Sequence, residues 1–241
     1  MAGDRLSGQA VVFLPGLLCD AQLWQPQIDA LGARITPWVV DLARDDSMGG
    51  MAARVLAECP FGRFALAGLS MGGYVALELM RRAPERVARL ALLDTQARPE
   101  TPEATARRLA LIELAKRGKF AAVADRLMPL LLHPSRIDEP QLTAVVRSMA
   151  RNIGPDAFLR QQQAIMARPD SRESLHKIGC PTLVLCGDGD LLTPPERHEE
   201  IARSVRGAQL VLLRDCGHLA TLEQPGEVSR ALERWLETGG G

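Results

Sequence analysis

Short apolar runs alternate with segments of helical periodicity along most of this chain. Six runs of five to eight residues are rich in aliphatic side chains, at 10–14, 35–42, 63–67, 87–93, 182–186 and 209–213. Between most of them, apolar residues recur with the period of an amphipathic helix, at 21–31, 50–58, 72–82, 195–205 and 225–237. Continuous apolar strands separated by helices indicate an α/β fold, with a mostly parallel sheet of about six strands and helices on both faces.

Residues 95–178 break this alternation. We find no convincing strand there, and helical stretches are predicted near 107–117, 120–132, 141–152 and 155–168. A coiled-coil arm is excluded because prolines cut these helices too short, at Pro129, Pro134, Pro140 and Pro155. We therefore predict a core of residues 1–94 and 179–241, and an inserted helical cap of residues 95–178 over the ligand-binding end of the sheet.

Charge and composition restrict the classes of partner. The 241 residues contain 29 Lys and Arg against 29 Asp and Glu, so no broad basic field exists for nucleic acid or a membrane surface. The opening MAGDRLSGQA fits neither a signal peptide nor a spanning helix, and we expect a cytoplasmic protein. Five cysteines without C-x-x-C spacing favour reduced thiols. We expect no metal, no cofactor, a monomer or homodimer, and a disordered closing TGGG.

The clearest chemical signal is the stretch from Gly68 to Gly72, which reads Gly-Leu-Ser-Met-Gly. The motif G-x-S-x-G between a strand and a helix is typical of a nucleophile elbow, a strained turn that exposes its serine, here Ser70. Any side chain at position 68 or 72 would crowd the adjacent strand and helix. The alternative is a glycine-rich helix entry with Ser70 as the N-cap. A serine nucleophile also requires a base, which the chain must supply elsewhere.

Four histidines are candidates for this base. His218 lies in the loop directly after the last predicted strand, at the edge of a parallel sheet where ligands bind. We therefore assign the base to His218. For the other three, His133, His176 and His198, we expect surface or core roles.

The base needs a carboxylate that fixes its tautomer and stabilises its cationic form. Asp188 and Asp190 follow the predicted strand at 182–186, and Asp94 follows the predicted strand at 87–93. Either position gives the chain order Ser, Asp, His. The residues alone leave the choice open, since one of the first pair could be a turn former.

These motifs together resemble the α/β-hydrolase superfamily, especially its small cytosolic capped esterases, enol-lactonases and carbon–carbon bond hydrolases. The resemblance extends over nearly the whole chain and implies the α/β-hydrolase fold. The family pattern G-x-x-D-x-x-x-P falls on Gly187, Asp190 and Pro194, which implies Asp190 as the acid, with the other two aspartates as alternatives. The stretch GHLATLEQP is similar to the family's histidine loop, in which Glu223 is expected to be a structural hydrogen-bonding residue.

The stretch VVFLPGLLCD occupies the place of the family's oxyanion loop. The resemblance implies that the backbone N–H groups of Leu17 and Met71 form the oxyanion hole. Pro15 stands where relatives carry a histidine, but a backbone donor survives that change. With Leu18 and Leu69, these residues are expected to form a largely apolar substrate pocket.

The motifs and the resemblance predict a serine hydrolase that cleaves a small carboxylic ester, lactone or thioester through an acyl-enzyme. Its expected partner is a small ester-like molecule. Carbon–carbon bond hydrolysis and perhydrolysis on the same triad are alternatives, as is a non-catalytic receptor that retains the pocket. A carboxylate on the substrate has five candidate ligands, all of which also fit solvated helix faces: Arg107, Arg108, Arg147, Arg151 and Arg160.

Overall fold

A single six-stranded parallel sheet forms the centre of the molecule. The computed structural model describes residues 8–238, so the expectations for the leader at 1–7 and the closing glycines lie outside the described residues. The strands follow one another along the sheet in the order β2-β1-β3-β4-β5-β6, and every adjacent pair is parallel. They are β1 (Gln9–Leu14), β2 (Ile35–Val39), β3 (Phe64–Leu69), β4 (Val87–Leu93), β5 (Thr182–Gly187) and β6 (Gln209–Leu213).

The predicted strands are confirmed, and two of their ends differ from the prediction by more than one residue. The predicted strand at 35–42 ends at Val39, because the chain then leaves the sheet edge towards the next helix. The predicted strand at 63–67 extends to Leu69, directly before the serine of the elbow. Both differences lie at the carboxyl end of the sheet, where the chain turns towards the site.

Helices cover both faces of the sheet. The helices are α1 (Gln25–Leu31), α2 (Met48–Glu58), α3 (Met71–Arg82), α4 (Pro102–Leu114), α5 (Ala121–Leu131), α6 (Pro140–Met166), α7 (Pro195–Ser204), α8 (Ala220–Glu223) and α9 (Pro225–Glu237). Alternate residues of each strand point to opposite faces. In β1, Val12 and Leu14 pack on the face covered by α2, α3 and α7, whereas Val11 and Phe13 pack on the face covered by α1 and α9.

Between β4 and β5, the described chain is helical and contains no strand. A short π-helical turn at Ala115–Lys119 separates α4 from α5. The two predicted helices at 141–152 and 155–168 are confirmed as the two halves of α6, which are separated at Gly154, where φ of 76° and ψ of 170° are not helical. Ile112, Val123 and Phe158 from these helices form a small core of their own together with Leu18. The division into core and cap stays a prediction.

Two further observations concern the whole described chain. Among the helices of residues 8–238, none combines the length and the hydropathy needed to cross a membrane. All five cysteines are free thiols, as the sequence predicts. No disulfide therefore links any two of the described residues.

The glycines of the elbow lie where backbone segments approach each other too closely for a side chain to fit. A Cβ at Gly72 would overlap the carbonyl oxygen of Leu14 in β1, and a Cβ at Gly68 would overlap the carbonyl oxygen of Gly72. Helix α3 therefore begins directly against the sheet. Glycine inside an element ordinarily lowers stability, but here only glycine permits the contact that positions the turn.

We predict that Gly72→Ala lowers the free energy of unfolding by about 3 kcal/mol, because overpacking against rigid backbone outweighs the better helix propensity of alanine. Urea unfolding measures this change. The control is Gly179→Ala, where a Cβ would meet no atom within 4 Å and the expected change is below about 0.5 kcal/mol. Equal stability of the two variants would contradict the steric account of the elbow.

Candidate active site

Ser70 lies in the sharp turn between β3 and α3. Its φ of 54° and ψ of −114° lie in a region that residues other than glycine rarely adopt. Two hydrogen bonds hold the backbone of this turn: the Ser70 N–H donates to the Leu93 carbonyl at 3.0 Å, and the Thr95 hydroxyl donates to the Ser70 carbonyl at 2.8 Å. The backbone of Ser70 is therefore bonded to the end of β4, and its hydroxyl remains available to the loops beyond the sheet.

His218 contacts this hydroxyl. Its Nε2 atom lies 2.9 Å from Ser70 Oγ, and its Nδ1 atom lies 2.8 Å from Asp190 Oδ2. An ionised carboxylate only accepts hydrogen bonds, so Nδ1 carries the proton and donates it to Asp190. Nε2 is then the unprotonated nitrogen that accepts from the Ser70 hydroxyl. The arrangement prepares His218 to take the hydroxyl proton.

Asp190 is buried and fully hydrogen-bonded. Its Oδ1 atom accepts from the N–H groups of Leu192 and Thr193, both at 2.9 Å, and its Oδ2 atom accepts from the Thr193 hydroxyl at 2.7 Å. Burial acts to raise the pKa of Asp190, but the charge and hydrogen bond of His218, together with the Thr193 bonds, hold the pKa below its usual range. Asp190 is therefore a carboxylate when it faces the imidazole.

The other two candidate aspartates do not reach His218. Asp188 is exposed, and its Oδ1 atom accepts only a long bond of 3.4 Å from the Cys216 N–H. Asp94 is completely buried, and burial followed by the charge of Asp190 raises its pKa well above the usual range. Its two oxygens accept from the N–H groups of Gly187 at 3.3 Å and Ala220 at 3.1 Å. Asp94 thus connects the loops that carry Asp190 and His218.

Glu223 also holds the loop that carries His218. Its Oε1 atom accepts from the N–H groups of Gly217 at 3.0 Å and Leu219 at 3.3 Å, the two neighbours of the histidine. Its Oε2 atom accepts from the N–H of His133 at 2.8 Å. Burial raises the pKa of Glu223. The predicted structural hydrogen-bonding role of Glu223 is confirmed.

His198 is the one histidine of the other three that is fully buried. Its Nε2 atom accepts from the Thr95 N–H at 2.8 Å, while His176 is exposed and His133 is half-buried. Burial lowers the pKa of His198 to about 4, so the imidazole is neutral at pH 7. Since Thr95 also binds the Ser70 carbonyl, His198 supports the residue that holds the elbow. Its core role agrees with the sequence expectation, but no sequence pattern pointed to this contact.

Two backbone donors next to Ser70 are available to a ligand. Within residues 8–238, the N–H groups of Leu17 and Met71 donate to no acceptor. The loop that carries Leu17 is held by the next residue, because the Leu18 N–H donates to Gln161 Oε1 at 3.1 Å. Gln161 comes from α6 and is buried, and its amide also donates to the Leu42 carbonyl at 3.3 Å. No sequence motif marked Gln161.

A cavity of about 230 Å³ opens onto Ser70 and His218. It lies between the carboxyl end of the sheet and the helices α4, α5 and α6. Its apolar wall includes Leu17, Leu69, Leu111, Leu127, Leu130, Leu131 and Ile165. Leu69 thus lies where the sequence places it. Leu18 differs from the expectation: it does not line this cavity, because its positive φ of 60° turns the side chain into the small core with Ile112 and Phe158.

The lowered pKa of His198 predicts a loss of stability in mild acid. Between pH 6.5 and about 4 the unfolded chain binds a proton at this imidazole and the folded chain does not, so stability falls as pH falls through that window. We expect this histidine to contribute a loss of about 2 kcal/mol between pH 7 and pH 5. His198→Gln should lose correspondingly less over this interval in urea unfolding. The exposed control His176→Gln should lose as much stability between pH 7 and pH 5 as the wild-type protein. If His198→Gln loses as much as this control, the prediction is wrong.

Comparisons with known proteins agree with this geometry. The model of the Alpha/beta hydrolase family matches residues 11–231. Among curated proteins, a pimeloyl-[acyl-carrier protein] methyl ester esterase of Neisseria meningitidis serogroup B is 31% identical over 88% of this chain and 82% of its own length.

Solved structures give the same result. A thermophilic esterase from Thermogutta terrifontis with malate bound is 32% identical, with a TM-score of 0.86 over 95% of this chain and 90% of that one. An enol-lactonase from Burkholderia xenovorans is 25% identical, with the same TM-score over 95% of this chain and 91% of its own. The chain therefore belongs to the alpha/beta hydrolase family and is an enzyme of that family's esterase group.

Proposed function

We propose that this enzyme cleaves a small carboxylic ester, lactone or thioester, with Ser70 as nucleophile, His218 as base and Asp190 as acid. One observation carries the proposal: a chain of two hydrogen bonds joins the three side chains, 2.9 Å from Ser70 Oγ to His218 Nε2 and 2.8 Å from His218 Nδ1 to Asp190 Oδ2. Ser70 also lines the cavity, so its hydroxyl faces the space where a substrate fits.

In the first step, Ser70 Oγ attacks the acyl carbonyl carbon while His218 Nε2 takes the hydroxyl proton. The imidazolium that forms is stabilised by the Asp190 carboxylate, which keeps its own charge. His218 then donates the same proton to the leaving oxygen or sulfur, and the acyl group remains on Ser70. In the second step, His218 takes a proton from water, whose oxygen attacks the acyl carbon. The bond from the acyl carbon to Ser70 Oγ then breaks, His218 returns the proton to Ser70 Oγ, and the acid is released.

Negative charge develops on the carbonyl oxygen during both attacks. We assign its stabilisation to the N–H groups of Leu17 and Met71, which have no acceptor within residues 8–238. Donors that are already oriented and unpaired lose no existing hydrogen bond when the oxyanion forms. Met71 is also the first residue of α3, so the positive end of that helix dipole adds to the stabilisation.

The cavity supports a substrate of limited size. Its volume of about 230 Å³ lies below the roughly 300 Å³ at which pockets for drug-sized ligands begin. The apolar part of its wall is mainly leucine, which suits a short apolar acyl chain. The relative from Neisseria meningitidis is named for cleavage of a methyl ester, which supports an ester as the bond broken. We propose that residues 95–178 form the cap that encloses this acyl chain.

A fluorophosphonate probe tests the nucleophile directly. We expect the wild-type protein to be labelled at Ser70, and Ser70→Ala to lose both the label and roughly 10⁶-fold in kcat on a short p-nitrophenyl ester. The control is Ser204→Ala, which removes an exposed hydroxyl in α7 and should change neither result. A folded wild-type protein that takes no label would refute the proposal.

A matched pair of substitutions tests the acid. Asp190→Asn should lower kcat by roughly 10⁴-fold, because an amide no longer holds His218 in the tautomer that accepts the Ser70 proton. Asp188→Asn makes the same chemical change two residues away, on an exposed side chain, and should leave kcat within about twofold. Ester hydrolysis assays with both purified variants distinguish these outcomes, and equal losses would show that the acid is wrongly assigned.

A further inference from the structure

More positive than negative side chains line the Ser70 cavity. Four arginines line the cavity, whereas Glu100 is the sole carboxylate among the described lining residues. The four are Arg107, Arg108, Arg168 and Arg197. The cavity therefore combines an apolar wall with an excess of positive charge, which is more than the hydrolysis of a neutral ester requires.

Glu100 is occupied by two of these arginines. Its Oε2 atom accepts from Arg108 Nε at 2.7 Å and from an Arg168 guanidinium nitrogen at 2.6 Å. The Glu100 and Arg168 side chains are buried, with 5% and 3% of their surfaces exposed, and the Arg168 guanidinium stacks over the Tyr74 ring at 4.5 Å. Arg108 also donates to Gln162 Oε1 at 2.8 Å. This group forms a fixed part of the cavity wall.

Arg107 and Arg197 have no such partners. Within residues 8–238, neither guanidinium forms an ion pair or a side-chain hydrogen bond, although both line the cavity. Acidic residues one turn away on the same helices form no ion pair with them: Glu103 lies one turn before Arg107, and Glu200, one turn after Arg197, is engaged by Arg98 at 2.9 Å. Arg107 lies on α4 and Arg197 lies on α7, so the two cations reach the cavity from different helices.

The other predicted carboxylate ligands are placed differently. Arg147 pairs with Asp125 at 2.7 Å, and Arg160 donates to the Ala43 carbonyl at 3.0 Å. Neither lines the cavity, and Arg151 does not line it either. Arg197, by contrast, was not among the sequence candidates, because its position near the cavity depends on how the loop after β5 turns.

We propose that Arg107 and Arg197 bind a free carboxylate at the end of the substrate's acyl chain, so that the enzyme prefers half-esters of small dicarboxylic acids. This inference rests on the proposed function, because the ester group of the same molecule must reach Ser70. A guanidinium donates parallel N–H groups that match a carboxylate. Arg197 is half-buried, so its charge-assisted bond is screened less by solvent than a bond to Arg107, which is exposed. The leucine wall accommodates the methylene groups between the two ends.

A carboxylate is favoured over a phosphate by the space available. A cavity of about 230 Å³ must hold both the ester group and the anionic group. A carboxylate is planar and small, whereas a phosphate adds a further oxygen and a tetrahedral centre. Both anions share the chemistry that arginine recognises, so the experiment includes each of them.

The test compares monomethyl esters of unbranched C4 to C8 dicarboxylic acids with the dimethyl esters of the same chains. For the wild-type enzyme, KM should be lowest for one monomethyl ester of this series, and the preference should weaken as salt is added. The double variant Arg107→Gln and Arg197→Gln should raise KM for that monomethyl ester roughly tenfold, with kcat within about twofold. Its KM for the dimethyl ester should not change.

Arg203→Gln is the matched control. Arg203 lies on α7 like Arg197 but is exposed, pairs with Glu199 at 3.1 Å and does not line the cavity, so its substitution removes one positive charge and a surface ion pair without altering the cavity. A KM increase in this control equal to that of the double variant would overturn the proposal. So would equal KM values of the wild-type enzyme for mono- and dimethyl esters, or a lower KM for a methyl ester with a terminal phosphate.

The fluorophosphonate probe separates this inference from the proposed function. The double variant should be labelled at the wild-type rate, because the probe carries no carboxylate and Ser70 is unchanged. If wild-type protein is labelled and cleaves both esters equally, only the carboxylate site is wrong. If it takes no label and cleaves neither ester, the proposed function itself fails.

Discussion

The close contact between β1 and the start of α3 is the constraint on which the rest of the site depends. Because Gly72 has no Cβ, the helix can begin directly against the Leu14 carbonyl. Ser70 must then adopt a positive φ in the turn before the helix. This strained backbone persists because hydrogen bonds from Ser70 to Leu93 and from Thr95 to Ser70 hold it on the side of β4. The elbow is thus imposed by its surroundings.

Buried polar side chains then bring three loops to this turn. Asp94 joins the loop after β5 to the histidine loop, Glu223 binds the N–H groups on both sides of His218, and Gln161 holds the loop before α1. Each buried carboxyl or amide oxygen accepts backbone N–H groups that would otherwise lack partners in an apolar interior. The same bonds that stabilise the loops therefore fix the distances between Ser70, His218 and Asp190.

Position also decides what the arginines do. Arg108 and Arg168 both form ion pairs with the buried Glu100, which partly neutralises their charge and holds them in the wall of the cavity. Arg107 and Arg197 line the same cavity without a carboxylate partner among the described residues, so their charge remains available to a ligand. Residues of one chemical type thus have two different functions, which are separated only by whether a neighbouring acid neutralises them.

The sequence by itself determined the order of strands and helices, and the pattern around Ser70 and its position before α3, because apolar periodicity and glycine spacing are local properties. It also placed His218 and the aspartates at the ends of strands, which meet at one edge of a parallel sheet. The family motif implied Asp190 as the acid, although the residues alone left three aspartates open. The tertiary structure shows that Asp190 meets His218, while Asp94 joins the two loops. It likewise decided that Leu18 leaves the cavity and that Gln161 supports the loop of Leu17. Such contacts join residues far apart in the chain, and their geometry has no local signal in the sequence.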